Sequence, residues 1–479
     1  MTGKTPIFVD LDGTVIRTDI FLESLLRVLK SNPLRSFRLL GWSMRGRSAM
    51  KTYIARQDRF EPSLLPYNIG LIDRLKEERA QGRRIILATA AHWKPARAIA
   101  KHLTIFDGVI ASDAHHNLKG ASKLERIRAE APGEAFAYCG DNRADRPLWQ
   151  AASAASFVGA SPRDVALARE RNALEWDFPR ESGRARQFLR ALRPHQWAKN
   201  LLIAVPLLTS HTYTKPQSLL ECLVAFVCFC LCASGVYLLN DLLDLESDRR
   251  HKTKRKRPFA AGLLPLTYGI AGAVMMPVSA FALALLLLPL PFSAVMLGYL
   301  ILTNAYSFRL KSISTLDVFA LSGLYTLRIV AGAVAIGVVL SSWLLLFSIF
   351  FFLSLAYLKR YSELVEFLGA SVPGRGYSAT DKDSMFTLGI ANGIASILVM
   401  ALYVQSDEVR KLYPHPNVLL LVCVGLLYWL NRVWVGARRG KINEDPVVFA
   451  FRDRVSRGVG ILLLLVVLAA RYAPALGHP

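Results

Sequence analysis

The sequence predicts two folds in one chain: an α/β doubly wound domain, then an all-α membrane bundle of about nine transmembrane helices. Three observations predict this. Before residue 182, short apolar runs alternate with helical stretches and end on polar clusters, as strands of a parallel sheet do at their carboxyl ends. Beyond residue 197, long apolar runs recur almost to the end. The composition is 53% hydrophobic with a net charge of +23, which suits the basic loops of a membrane protein better than a nucleic-acid binder. A chain of 479 residues has room for both folds, with expected limits of 1–182, a linker at 183–196 and 197–479.

The elements of the first domain follow in order. Ile7-Phe8-Val9 reads as a short buried strand running into Asp10-Leu11-Asp12-Gly13-Thr14. Ile85 to Ala88 is a second strand, ending at Thr89. Lys123 follows the Lys119-Gly120 turn and opens a helix. Phe136 to Cys139 is a third strand, leading into Gly140-Asp141 and then Asp145. Phe157 to Ala191 reads as charged and irregular. Cysteine spacing gives no disulfide frame or zinc site, and the amino terminus shows no apolar signal segment, so this domain is expected in the cytosol.

These polar positions suit phosphoryl chemistry. A carboxylate nucleophile, Asp10, needs a metal to screen it from the phosphate that it attacks. Asp12, two residues on, can protonate the leaving oxygen and then activate water. Thr14, Thr89 and Lys123 are candidates to hold phosphoryl oxygens. Asp141, with Asp145, completes a metal shell. Together Asp10/Asp12, Thr89, Lys123 and Asp141/Asp145 resemble, in order, the four motifs of haloacid dehalogenase-like phosphatases. That resemblance implies a Mg²⁺-dependent hydrolase whose cap occupies residues 20 to 80. Leu22–Lys30 and Leu34–Trp42 read as cap helices with Arg and Lys on them. They either pack on their own domain or lay a basic face on anionic headgroups.

In the second half, apolar runs occur at 197–212, 217–243, 264–288, 291–306, 316–338, 341–360, 385–404, 416–433 and 458–475. Lys and Arg crowd the loops after the even-numbered runs, which puts those loops on the cytosolic side of a bacterial-type inner membrane. The stretch Tyr237 to Arg250 carries Asn240, Asp241, Asp244 and Asp248 and passes into a basic run ending at Arg257-Pro258. On a continuous helix the three aspartates share one face, and their mutual repulsion calls for a divalent cation. Further polar clusters hold Lys199, Tyr306, Lys311, Asp317, Arg328, Lys359, Arg360 and Glu363. An ionisable residue inside a bundle, such as Arg328, is a functional candidate or a structural partner for an aspartate.

These clusters resemble the UbiA superfamily of intramembrane prenyltransferases. Asn240-Asp241-x-x-Asp244-x-x-x-Asp248 matches that family's first aspartate motif, whose implied role is to bind Mg²⁺ and a diphosphate. The usual second paired-aspartate motif is missing, since Asp317 is followed four residues later by Leu321. Arg193–Asn200, Lys359–Leu364 and Glu444-Asp445-Pro446-Val447 look like the decaprenyl-phosphate phosphoribosyltransferase branch. That resemblance implies phosphoribosyl diphosphate as donor and polyprenyl phosphate as acceptor, with Arg and Lys holding the single phosphates. The first domain would then remove the 5-phosphate of the lipid-linked product, feeding synthesis of a lipid-linked ribose or arabinose donor. No nucleic acid is expected as a partner, and an oligomer is compatible with the sequence. The alternative is a prenyltransferase of an aromatic acceptor, a quinone or haem precursor, with the first domain as a scaffold.

Overall fold

The structure, a computed structural model, describes residues 5–31, 47–58, 60–114, 116–179, 183–366, 376–442 and 445–472. By Cα proximity it divides into two compact units. The first is 1–192 with 237–273, and the second is 193–236 with 274–479.

The first unit is built on six parallel strands: β1 (Ile7–Val9), β2 (Ile85–His92), β3 (Gly108–Ser112), β4 (Ala137–Gly140), β5 (Ala154–Val158) and β6 (Leu174–Phe178). Their order is β3-β2-β1-β4-β5-β6. β1 is central, with Ile7 in register with Ile85 on one side and Ala137 on the other. Both faces of the central strand are covered, so β1 is apolar and buried throughout. Ile7 and Val9 enter one core while Phe8, pointing the other way, enters a second. Strand order reverses between β1 and its neighbours β2 and β4, and the crevice beyond their carboxyl ends is where such sheets bind ligands. All three strands read from the sequence are present.

Two expectations for this unit need comment. The stretch 157–191 is not irregular: it holds the end of β5, helix Pro162–Glu170, β6 and helix Arg184–Ala191. The helix at 162 is started by Ser161, whose hydroxyl accepts from the Asp164 amide, and by Pro162 in the first turn. Short length and charged faces hide these edge elements from a periodicity search. In the cap, Leu22–Lys30 lies in helix Ile20–Ser31, where Val28 packs against Ile54 of helix Arg47–Gln57. Arg27 pairs with Asp58 at 2.8 Å and with Glu23, so this helix packs within its own unit. The expected helix Leu34–Trp42 lies outside the described residues.

Among the described residues, eight helices are long and apolar enough to cross a membrane, beginning with Pro216–Leu243 and ending with Arg454–Tyr472. The chain is therefore an integral membrane protein with a helical carboxyl-terminal half. The first apolar run, 197–212, folds instead as a 3₁₀ helix, Pro194–Ala204, continued by the short α-helix Val205–Thr209. Pro194 and Pro206 each stand near the start of their segment. Because a 3₁₀ turn rises about 2 Å per residue, this pair reaches about 30 Å, roughly the thickness of the hydrocarbon core.

Candidate active sites

Asp10 stands at the carboxyl end of β1, where the chain leaves the sheet. Its Oδ1 accepts from the Leu11 amide at 2.8 Å, and its Oδ2 lies 3.1 Å from Lys123 Nζ. Lys123 comes from helix Ala121–Glu130, is almost wholly buried, and also donates to the Tyr138 hydroxyl at 2.9 Å. That hydroxyl in turn donates to Asp145 Oδ1 at 2.9 Å. Burial pushes the Asp10 carboxyl up to about 6, with the Lys123 ammonium pulling the other way. Burial likewise holds Asp12 well above the usual carboxylate range, with the Asp19 charge adding to it. A carboxyl whose pKa is raised by burial suits a general acid. Asp12 Oδ1 also accepts from the Ile20 amide at 2.8 Å, which ties the nucleophile turn to the first cap helix.

Carboxylate oxygens of Asp10, Asp141 and Asp145 lie within 4.8 Å of one another, the one such group among the described residues. Gly13, with φ +77°, makes room for it: a Cβ there would lie 2.2 Å from Asp141 Oδ2. Three acidic oxygens around one point fit a hard divalent cation. Asp12 stands outside this trio. Thr89 is fully buried and its hydroxyl accepts from the Ala91 amide at 3.0 Å, whereas the buried Thr14 hydroxyl has no hydrogen-bond partner in the structure. An orphaned donor beside the nucleophile suits a phosphoryl oxygen.

The aspartate motif does not run through one unbroken helix. Helix Pro216–Leu243 ends, Asp244 takes a non-helical φ/ψ, and helix Leu245–Arg250 follows. Bonds from the Asp244 amide to the Asn240 carbonyl (2.9 Å) and from the Asp248 amide to the Asp244 carbonyl (2.8 Å) carry the turn across the break. Asp241 and Asp248, both buried, converge on one nitrogen of Arg257, at 3.1 and 2.6 Å. Asp244 instead pairs with Lys30 of the cap at 2.7 Å. The repulsion expected among the three carboxylates is thus relieved by side chains of the chain itself. Two carboxylates already sharing one cationic point fit a metal ion there as well.

In the second unit, Asp445 gathers what the sequence left dispersed. It caps helix Pro446–Arg452, and its carboxylate accepts from Lys199 (2.7 Å), Lys359 (3.2 Å) and Tyr325 (3.0 Å). The Lys199 ammonium and the Arg328 guanidinium each lie 5.8 Å from the Tyr325 ring centroid. Arg328 donates to Asn200 Oδ1 at 2.8 Å and to the Tyr299 hydroxyl at 3.1 Å, both of them neutral partners rather than an aspartate. Two ammonium groups on one carboxylate, with the Arg328 guanidinium by the same Tyr325 ring, leave an excess of positive charge. An apolar cavity of about 290 Å³ is lined by Leu202, Ile329, Phe351, Phe352 and Val447, and Phe352 of that lining stacks on Tyr325 with ring centroids 5.0 Å apart.

Arg360 is arranged differently. Its guanidinium, 1% exposed, bonds Asp317, Glu363 and the Tyr306 hydroxyl, and Tyr377 also bonds Asp317. This network satisfies its own charges and braces the bundle. Lys311 lies partly exposed in the turn Leu310–Ser312, away from the buried end of Arg360 in sequence. Asp445 and Asn200 stand in motifs that carry the phosphoribosyltransferase resemblance but had no role of their own from the sequence, and Tyr325 and Tyr138 were not singled out. The Asp445-Pro446 pair, an N-cap followed by proline, is a further local signal at Asp445.

Comparison with known proteins agrees with this division. Residues 7–150 match the haloacid dehalogenase-like hydrolase family, and residues 202–367 match the UbiA prenyltransferase family. The uncharacterised protein y4nM of Sinorhizobium fredii is 38% identical over 465 residues, covering 96% of this chain and 90% of that one. Nodulation protein NoeC of Azorhizobium caulinodans is 35% identical over 56% of this chain and 87% of its own length. Decaprenyl-phosphate phosphoribosyltransferase of Mycobacterium tuberculosis is 40% identical over 190 residues, which is 38% of this chain and 63% of that enzyme.

Proposed function

The chain belongs to the UbiA prenyltransferase family and carries a haloacid dehalogenase-like hydrolase domain ahead of the membrane bundle; on that premise we propose a two-step membrane enzyme acting on phosphorylated ribose and a lipid. In the first step the bundle transfers 5-phosphoribose from phosphoribosyl diphosphate to a polyprenyl phosphate. In the second, the amino-terminal domain removes the 5-phosphate. The observation that carries this reading is the cationic cluster of Lys199, Lys359 and Arg328 beside an apolar cavity. A polyprenyl phosphate has the same division into a dianionic head and an apolar chain. The 40% identity to an enzyme named for that transfer supports the same choice.

The roles follow from charge. Lys199, Lys359 and Arg328 hold the acceptor phosphate and aim one oxygen at C1 of the ribose. On this reading Asn240, Asp241, Asp244 and Asp248 serve the donor's diphosphate, and Mg²⁺ held by Asp241 and Asp248, the two carboxylates that converge, would screen that leaving group. Arg257, now shared by Asp241 and Asp248, is placed to pass to the diphosphate. The C1–O bond breaks, the diphosphate leaves with the electron pair, and the lipid phosphate oxygen bonds to C1. Arg360, Asp317, Glu363 and Tyr306 brace Lys359, and Lys311 adds charge for the 5-phosphate.

In the hydrolase domain Asp10 attacks phosphorus while Asp12 gives its proton to the departing 5-oxygen. Asp12 then takes a proton from water, which hydrolyses the aspartyl phosphate. Lys123, Thr14 and Thr89 hold the phosphoryl oxygens. Mg²⁺ on Asp10, Asp141 and Asp145 would neutralise charge between nucleophile and phosphate. The Lys- and Arg-rich loops support the cytosolic side of a bacterial inner membrane as the location of both sites.

The reading is tested with purified protein, Mg²⁺, polyprenyl phosphate and ribose-labelled phosphoribosyl diphosphate. Label should enter the organic phase, and Asp241→Asn should stop it. Label from an isoprenyl diphosphate entering an aromatic acceptor instead would establish an ordinary prenyltransferase.

A further inference from the structure

A second cationic site lies within the first unit, apart from the Asp10 centre. A cavity of about 550 Å³ is lined by Arg17, Arg190, Arg249, Arg255 and Lys256, and no carboxylate lines it. Leu64, Leu65, Pro66 and Leu263 form its apolar wall. Arg17 belongs to the turn that follows the nucleophile, where the Gly13 amide donates to the Thr18 carbonyl at 3.3 Å. Arg190 ends helix Arg184–Ala191. The other three cations belong to the segment between helices Pro216–Leu243 and Leu266–Leu287, both long and apolar enough to cross a membrane.

The cavity is built rather than left over. Arg249 is fixed by paired bonds to the buried Glu23, at 2.6 and 2.9 Å, and by a bond to the Ala260 carbonyl at 2.9 Å. Gly262, with φ +68°, lets the loop close on the turn: a Cβ there would lie 2.6 Å from Arg17 Cβ and 2.8 Å from the Arg17 carbonyl oxygen. Arg17, Arg190, Arg255 and Lys256 present their side chains to the same space from its exposed side, and planar guanidinium groups pair well with phosphate oxygens.

We propose that this cavity binds a phosphate group, and that its apolar wall and its place between two membrane-crossing helices select the phosphate headgroup of an anionic lipid over free phosphate. No residue of either proposed reaction is shared with it, so the proposal stands whether or not ribose transfer is the reaction. Occupancy fastens the loop that carries Arg249, Arg255 and Lys256 to the turn that follows Asp10 and Asp12.

The test uses the full chain in detergent with EDTA present, so that metal-loaded carboxylates hold no anion. Native mass spectrometry counts short-chain phosphatidylglycerol and phosphatidylcholine adducts, with pyrophosphate as the soluble competitor. The parent should take up phosphatidylglycerol in preference to phosphatidylcholine. R17Q/R255Q/K256Q should lose about tenfold in that affinity, and R255Q or K256Q alone about threefold, with the melting temperature of the single variants unchanged. Pyrophosphate binding that the variants weaken, without a preference between the two lipids, would assign the same phosphate chemistry to a soluble source. Equal uptake of both lipids together with parent-level pyrophosphate binding in R255Q and K256Q would overturn the proposal.

Discussion

The two candidate centres use the same ingredients in opposite proportion. Around Asp10 three carboxylates, those of Asp10, Asp141 and Asp145, surround one lysine, Lys123. Around Asp445 two ammonium groups, those of Lys199 and Lys359, share one carboxylate, and the Arg328 guanidinium lies by the same Tyr325 ring as Lys199. The first balance attracts a cation and the second attracts an anion. In both, a tyrosine hydroxyl, Tyr138 or Tyr325, bonds the minority arrangement in place. The contrast shows that neither a buried lysine nor a buried aspartate indicates a role by itself. The local surplus of charge does.

The sharpest break in that comparison is Asp10→Asn, which removes the nucleophile and should lower hydrolysis of a small phosphate monoester at least about a thousandfold, measured in single turnover. Asp445→Asn comes next. It leaves Lys199 and Lys359 facing each other without their shared counter-charge, and transfer to lipid should fall about a hundredfold while phosphatase activity stays unchanged. Equal loss of both activities would mean a general folding defect instead. Arg257→Gln should raise the donor KM about tenfold with kcat less affected, since one charge-assisted phosphate contact is removed.

Glu23→Gln has the smallest effect on activity and tests stability instead. Burial raises the Glu23 carboxyl, but Arg249 and Arg27 outweigh it and the group sits below the usual glutamate range. A depressed folded pKa adds stability above the unfolded value of about 4.3, and that stability is lost as pH falls through the lower folded value. The variant should therefore unfold about 3 kcal/mol more easily at pH 7, with the gap closing in acid. A gap that persists at low pH would show that the charge pair is not its source.

Much of the hydrolase site could be read from the chain because its information is local. Asp10, Asp12, Gly13 and Thr14 lie in one turn after a three-residue strand, and apolar runs mark the strands that bring Thr89 and Asp141 alongside. The membrane helices were legible for the same reason, through length and hydropathy. At the Asp445 centre the motifs were legible but their meeting was not, because the partners Lys199, Tyr325 and Lys359 lie 246, 120 and 86 residues away. Nothing periodic links them. The aspartate motif was legible as a pattern but not in its pairing. Lys30, 214 residues from Asp244, and Arg257, beyond a change of helix direction, supply charge that spacing alone does not reveal.

The central claim is that one chain attaches a phosphorylated ribose to lipid and then strips its phosphate. Phosphoribosyl diphosphate carrying ¹⁴C in the ribose and ³²P at the 5-position tests it in one extraction. With Mg²⁺ and polyprenyl phosphate, the parent should send ¹⁴C into the organic phase and leave ³²P in water, whereas Asp10→Asn should send both isotopes into the lipid in equal amount. Organic ¹⁴C that keeps its ³²P in the parent as it does in Asp10→Asn, or ¹⁴C that never leaves the water, would contradict the account.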